Sequence, residues 1–242
     1  MWSDRGTGYN KYNGTTWQPI PTERIESQRT GWPSYAPLGE NGELIVAHLS
    51  NADMDGLLFN KRTNKGEGDW EESLFQGPQN HEDIVWPRMV TGGENHSHIY
   101  LISLSKPIAN GGAINNGLNG ALLYSRSTDS GETWDIQNQI LPGMDSTQYL
   151  GFKGDCYAFA EPKDSIVAFV VGSYATDLFL MKSADYGETF EKTIIWEHPY
   201  PFFDFSSTIT SDTFYSVDGS LSVALDMYNK AHVVFGIVSN LL

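Results

Sequence analysis

The sequence contains an eight-residue segment that recurs along the chain. Residues 127–134 read STDSGETW and residues 183–190 read SADYGETF, so Asp129 and Asp185 stand 56 positions apart. A third copy at residues 62–70 has Asn64 in place of the Asp and one additional residue before Trp70. Three copies in phase predict a fold assembled from successive units of this length.

Each copy lies between segments that have the pattern of β-strands. Short apolar runs precede the copies, and residues 189–196 alternate apolar and polar positions. Two more strand-like runs stand earlier in each unit: residues 32–35 with 44–48, 86–89 with 99–102, and 157–160 with 166–171. Four strands in about 55 residues are typical of one blade of a β-propeller. The sequence therefore predicts an all-β propeller of four-stranded antiparallel blades, with each copy as the turn between the last two strands.

The same spacing predicts where the units begin and end. We expect three blades, at residues 23–77, 78–142 and 143–197, preceded by the last hairpin of another blade (1–22) and followed by the first half of a further blade (198–242). No change in composition divides the chain, so we expect one domain. Because half a blade leaves an unpaired strand edge, we expect the chain to be part of a larger, six-bladed propeller. The alternatives are a four-bladed ring in which residues 9–17 pair with residues 221–235, or edges that pair between two copies.

The charge of the chain restricts its partners. Thirty acidic residues against fifteen Lys and Arg give a formal net charge of −15, which repels phosphate backbones and anionic lipid surfaces. We therefore expect no nucleic-acid partner, and no apolar run approaches the ~18 residues of a membrane span. The single cysteine, Cys156, excludes an intrachain disulfide and is expected to pack as a small apolar side chain. The oligomeric state stays open.

The repeated motif Ser-x-Asp-x-Gly-x-Thr-Trp resembles the Asp-box (BNR) repeat of the sialidase-like superfamily. Residues 24–27, 81–88 and 157–162 are also similar to uncharacterised exported proteins of the Bacteroidetes type. The resemblance implies a sialidase-like propeller that is secreted or on the cell surface and acts as a glycoside hydrolase on extracellular glycans. The alternative is a non-catalytic propeller that binds a glycan or a protein, and the expected partner in either case is a carbohydrate or a glycoprotein.

We expect the repeated residues to stabilise the turn rather than to carry chemistry. The Asp side chains accept backbone N–H groups, the Gly residues adopt conformations that side chains resist, and the terminal aromatic residues become buried. The residues of this kind are Ser127, Asp129, Gly131, Thr133, Trp134, Ser183, Asp185, Gly187, Thr189 and Phe190, with Asn64, Gly66 and Trp70 in the third copy. No copy offers more than one or two carboxylates at ligand spacing, so we expect no metal and no cofactor.

Candidate functional residues stand just before the first strand of each unit, because the innermost strands of a propeller line its central channel. The candidate ligand-binding residues are Arg24, Arg29, His81, Arg88, Asp155 and Tyr157, and the candidate catalytic carboxylates are Glu26, Asp83 and Glu161. Asp204 and Asp212 occupy the corresponding segment before the last strands.

The resemblance assigns roles only in part. Sialidases use an Arg cluster to bind a carboxylate, an Asp as acid/base and a Tyr nucleophile beside a Glu. Here Arg24-Ile25 resembles the Arg-Ile-Pro motif of the first sialidase strand without its Pro, and the third unit has no Arg at this place. His81 and Asp83 can act together on one strand face, whereas the alternative for residues 81–83 is a solvated loop.

Overall fold

The structure is a computed structural model, and it describes residues 4–50, 54–204, 206, 208 and 213–240. Asp212 lies outside these residues. The described part contains fourteen β-strands and two short 3-10 turns, Glu94–His96 and Ile108–Asn110. The strands are β1 Thr30–Leu38, β2 Gly42–Leu49, β3 Leu57–Arg62, β4 Glu71–Phe75, β5 Ile84–Gly92, β6 His98–Ser105, β7 Leu122–Ser127, β8 Ile136–Gln139, β9 Tyr157–Phe159, β10 Val167–Ser173, β11 Thr176–Ser183, β12 Glu191–Trp196, β13 Phe214–Leu225 and β14 Ala231–Asn240.

The strands form three four-stranded sheets and one two-stranded sheet. In every sheet, strands that follow each other in the chain pair antiparallel: β1 to β4 form blade 1, β5 to β8 blade 2, β9 to β12 blade 3, and β13 pairs with β14. The first strands lie side by side, since β1 packs on β5, β5 on β9, and β9 on β13. Sheets arranged in this way around a line of first strands are the blades of a β-propeller, which confirms the predicted fold.

The position of each strand follows from its side chains. The second strand of each blade is an almost continuous apolar run, and every residue of β2 and β10 is buried. The fourth strands β4, β8 and β12 are mostly exposed or half-buried, as expected at the outer edge of a blade. One apolar core runs through blades 1 to 3 and includes Leu44, Tyr100, Tyr124 and Phe169. Each large side chain buried in it stabilises the fold by about 1.5–3 kcal/mol.

The segments outside the three blades pair locally. Tyr12 forms an isolated bridge with Trp17, and the segment around Tyr9 packs on Trp70 of blade 1. The strand β13 pairs with β14 over Phe214 to Leu225. Across the described ranges, residues 9–17 and 221–235 do not pair with each other. The four-bladed ring closed by that pairing is therefore not formed. In the same ranges no helix is long and apolar enough to cross a membrane.

Candidate functional site

The first strands of blades 1 and 2 carry the same irregularity at the same place. Trp32-Pro33 interrupts the pairing of β1 with β2, and Trp86-Pro87 interrupts that of β5 with β6. Proline has no N–H to donate to a ladder, so a bulge is the natural place for it. Both tryptophans adopt the left-handed conformation, with φ of 52° and 50°, which bulky side chains normally avoid. Asp155, just before β9, has φ of 62° and continues the series in blade 3.

These three residues meet where the blades converge. The indole rings of Trp32 and Trp86 lie edge to face, with centroids 6.1 Å apart. Trp32 Nε1 donates to Asp155 Oδ2 at 2.9 Å, and Arg88 Nη2 lies 2.5 Å from Asp155 Oδ1. Asp155 of blade 3 therefore binds side chains from blades 1 and 2. Because the Arg88 and Asp155 side chains are 33% and 41% exposed, this ion pair mainly fixes orientation.

Two buried side chains hold the backbone of Trp86. Trp86 N donates to His48 Nδ1 at 3.0 Å, and Tyr157 donates its hydroxyl to Trp86 O at 2.6 Å. The His48 ring also stacks on Trp32, with centroids 5.0 Å apart. Burial, reinforced by the positive charges of Arg5 and Lys106, lowers the pKa of His48 to about 4. His48 is therefore neutral near pH 7, and its Nδ1 is free of a proton and can accept the bond from Trp86. Burial raises the pKa of the Tyr157 hydroxyl.

A cavity of about 430 Å³ opens between blades 1 and 2 beside these tryptophans. Its apolar wall comes from Trp32, Trp86, Leu49, Met54 and Val85, and its charged wall from Arg5, Arg29, Lys106, Asp55 and Asp83. We call this cavity the aromatic compartment. Three cations against two carboxylates make its lining locally positive in a chain of net charge −15.

The charged groups of the aromatic compartment are held in place. Lys106 Nζ lies 2.6 Å from Asp83 Oδ2, and Lys106 N donates to Asp83 O at 3.1 Å. Arg29 Nη1 donates to the carbonyl and the hydroxyl of Ser50 at 3.0 and 2.9 Å. The Arg5 guanidinium lies 4.1 Å from the centroid of the Trp32 ring. Cation and ring attract at this distance, so Arg5 covers part of the indole.

The structure brings some of the sequence-predicted residues together. Arg29 and Asp83 line the aromatic compartment, and His81 lines an adjoining cavity that shares Asp83. Arg88, Asp155 and Tyr157 form the contacts where the three blades converge. These six residues come from all three blades.

Other predicted residues lie elsewhere. Glu26 is buried, and its carboxylate accepts the backbone N–H and the hydroxyl of Thr7, so it fastens the N-terminal segment to blade 1. Arg24 pairs with Asp4 and donates to Glu26 O at 3.0 Å. Glu161 is exposed in the loop after β9. Neither Glu26 nor Glu161 lines the aromatic compartment.

Several residues that line the aromatic compartment were not predicted from the sequence. His48 ends an apolar run and has the pattern of a core position. Trp32 and Trp86 look like strand residues, but one signal was available: the dipeptide Trp-Pro recurs at blade spacing, and Pro inside a first strand indicates a bulge. Arg5 and Lys106 stand far from any motif, so only the fold brings them to the cavity.

The repeat turns, residues 127–134 and 183–190, form closely similar hydrogen-bond networks between the third and fourth strands. Asp129 Oδ1 accepts Ser127 Oγ at 2.8 Å and Thr133 N at 2.9 Å, and its Oδ2 accepts Thr133 Oγ1 at 2.6 Å. Asp185 makes the same bonds with Ser183 and Thr189. Gly131 and Gly187 adopt φ of 83° and 76°, and each donates its N–H to the Ser hydroxyl of its own turn.

The aromatic residue of each repeat turn enters the core. Trp134 packs on Phe75 with centroids 4.6 Å apart, and Phe190 packs on Tyr124 at 5.0 Å. In the third copy a different residue supplies the acceptor, because Gly66 N donates to Glu43 Oε1 at 2.9 Å. Trp70 of that copy packs under the Arg62 guanidinium at 4.1 Å. Within the part of the chain that the structure covers, the Asn64 side chain makes no hydrogen bond, so it does not stabilise its turn in the way expected for the repeated residues.

No protein-family model matches this sequence, and no curated protein matches it. Solved structures do share its fold. A mutant of the α-L-arabinofuranosidase arb93a from Fusarium graminearum, in complex with an iminosugar inhibitor, aligns at a TM-score of 0.52 and 13% identity over 86% of this chain and 56% of that one. The GH93 α-L-arabinofuranosidase of Fusarium graminearum with arabinobiose aligns at 0.51 and 14% over 85% and 56%. The chain thus spans little more than half the length of these two solved structures.

Proposed function

We propose that this chain binds carbohydrate in the aromatic compartment and acts as a glycoside hydrolase on extracellular glycans. The observation that carries the proposal is the composition of the cavity, which places Trp32 and Trp86 beside the ion pair of Asp83 and Lys106. A sugar ring has apolar C–H faces and a rim of hydroxyl groups, so it needs an aromatic surface and charged hydrogen-bonding partners together. The arabinofuranosidases of the same fold hold an iminosugar and arabinobiose, which supports the class of ligand.

Hydrolysis of a glycosidic bond requires two carboxyl groups on either side of that bond. Asp83 and Asp55 are the two carboxylates that line the compartment among the described residues. Asp83 is anchored by Lys106 and stands at the start of the first strand of blade 2. We assign Asp83 the role of base or nucleophile, and Asp55 the role of the second carboxyl group.

The experiment measures binding and hydrolysis on one panel. The chain is offered arabinan, xylan, mannan and sialylated glycans on an array, and release of 4-nitrophenol from the matching glycosides is followed. We expect binding of at least one glycan, and we expect Asp83→Asn to lower kcat by about 100-fold or more with a small change in KM. Asp164→Asn, an exposed Asp outside the compartment, is the matched control and should retain full activity. Absence of binding to every glycan would refute the proposal.

A second candidate is carbohydrate binding without hydrolysis. The positions of two predicted catalytic carboxylates favour it. Glu26 is hydrogen-bonded to Thr7, and Glu161 is exposed in a loop, so neither lies beside Asp83. In that case the array shows binding, no glycoside is cleaved, and Trp86→Ala abolishes binding.

A further inference from the structure

A second cavity of about 360 Å³ adjoins the aromatic compartment. Asp55, Asp83 and Lys106 line both cavities and therefore lie at the boundary between them. The second cavity, which we call the polar compartment, is lined beyond this boundary by Asn80, His81, Glu82, Gly111, Gly112 and Ala113. Together the two compartments form one cleft across the end of blades 1 and 2.

The two compartments differ in chemistry. The aromatic compartment offers indole surface, whereas the polar compartment offers imidazole, carboxylate, amide and backbone groups. Gly112 leaves no room for a side chain, because a Cβ there would lie 1.8 Å from Lys106 O. Gly111 adopts φ of 90°. Backbone and small residues thus form this wall and keep the cavity open.

The boundary itself can bind a ligand. Lys106 and Asp83 are 32% and 22% exposed, so both reach the solvent in the cleft. The ammonium has three donors, and the bond to Asp83 uses one of them. A group that passes from one compartment to the other must therefore cross a donor and an acceptor that are already fixed relative to each other.

We infer that the ligand is an oligosaccharide of at least two units, with one ring in the aromatic compartment, the next in the polar compartment, and the linkage over the Asp83–Lys106 pair. This inference rests on the proposed function and adds the length and placement of the ligand. Each cavity has the volume of a small-molecule site, on the order of 300–1,000 Å³, so each holds at least one ring. A monosaccharide fills half of the cleft.

The test compares affinity with chain length by calorimetry on three series: arabinose to arabinotriose, xylose to xylotriose, and mannose to mannotriose. For the series that binds, we expect the trisaccharide to bind at least tenfold more tightly than the monosaccharide. His81→Ala removes a side chain from the polar compartment, and Ala113→Phe fills it. Both should reduce the ratio of the two dissociation constants severalfold. His232→Ala, on β14 outside the cleft, is the matched control and should keep the ratio.

The outcomes separate this inference from the proposed function. Equal affinity at all lengths, or an undiminished ratio in both polar-compartment variants, overturns the inference and leaves carbohydrate binding intact. Absence of binding in all three series overturns it as well, and the glycan array then tells whether the proposed function falls with it.

Discussion

Asp185 shows how much one side chain contributes to a turn of this protein. Its two oxygens accept bonds from Ser183, Glu188 and Thr189, which close the turn between β11 and β12. Partial burial opposes its ionisation, but these hydrogen bonds outweigh burial and lower the pKa of Asp185 to about 2. The turn is therefore stable as long as this carboxylate is charged.

Asp185→Ala should lower the free energy of unfolding by roughly 1–3 kcal/mol, because the turn loses its acceptors. Urea denaturation at pH 7 measures the change. Glu188→Ala, an exposed neighbour in the same turn, should stay within about 0.5 kcal/mol of the original. If the two variants were equally stable, the turn network would not matter for folding. Carbohydrate binding should be retained in both variants, because the repeat turns do not line the cleft.

His48 makes the stability of the fold depend on pH. Its pKa is about 4 in the folded protein and near 6.5 in the unfolded chain, so between these values the unfolded chain binds more protons. Protonation of His48 does not change the free energy of unfolding above about pH 6.5. As the pH falls from 6.5 toward 4, this free energy decreases by about 3 kcal/mol.

The check is a series of urea denaturations from pH 7 to pH 4 on the original chain and on His48→Asn. The amide oxygen of Asn replaces Nδ1 as acceptor for Trp86 N without titrating, so the variant should lose this part of the slope. The positive side chains of Arg5 and Lys106 face His48 and reinforce the lowering of its pKa. Identical slopes for the two chains would contradict the assignment.

At the scale of the element, the first strands depart from regular geometry where they reach the cleft. Left-handed residues cost about 1–3 kcal/mol each unless their surroundings hold them. Trp86 is held by His48 on its N–H, by Tyr157 on its carbonyl and by Gly154 against its ring. The bulge in β5 is therefore held in one conformation, and it places Trp86 in the lining of the cleft.

Gly154→Ala tests this packing. The added Cβ would lie 2.6 Å from Trp86 Cδ2, and the ring cannot retreat while its backbone is bonded on both sides. We expect a loss of about 1–3 kcal/mol, an altered near-UV circular dichroism spectrum and weaker sugar binding. Gly8→Ala, where the new Cβ meets Pro21 Cγ at an ordinary 3.5 Å, should change none of the three. An unaltered spectrum in Gly154→Ala would show that Trp86 is not confined.

The strands were predictable from sequence, whereas the cleft was predictable only in part. Apolar runs such as residues 44–48 and 166–171 show their strand character locally, and the repeated turns set their order. The bond between Trp32 and Asp155 joins residues 123 positions apart, and no periodicity reports such a contact. Asp83 was found because it stands just before a first strand, and Arg88 because it lies within one. Lys106 was not, because it follows a second strand.

At the scale of the whole molecule, apolar surface is exposed at both ends of the row of sheets. Ile20 is 85% exposed beside blade 1, and Val234 is 71% exposed on β14. Ile237 and Tyr215 of the same two-stranded sheet are also exposed. Exposed apolar side chains on a strand edge favour contact between molecules.

We expect the chain to self-associate as its concentration rises, and the double variant Val234→Lys with Ile237→Lys to weaken association severalfold. Size-exclusion chromatography with light scattering measures the mass. The matched control adds the same two charges at exposed positions in the repeat turns, Thr128→Lys with Ala184→Lys, and should associate as the original does. A monomer at all concentrations in the original chain would contradict the expectation.

The repeat turn at residues 127–134 and the cleft lie at opposite ends of blade 2, since β7 runs away from the cleft toward this turn and β8 returns from it. A gene duplication that copies a blade therefore copies a complete folding signal at one end. The other end is free to acquire new loops without loss of that signal. A blade of this kind can therefore be copied with its turn unchanged while its loops at the other end vary. Ligand preference can diverge from copy to copy while the architecture is inherited unchanged.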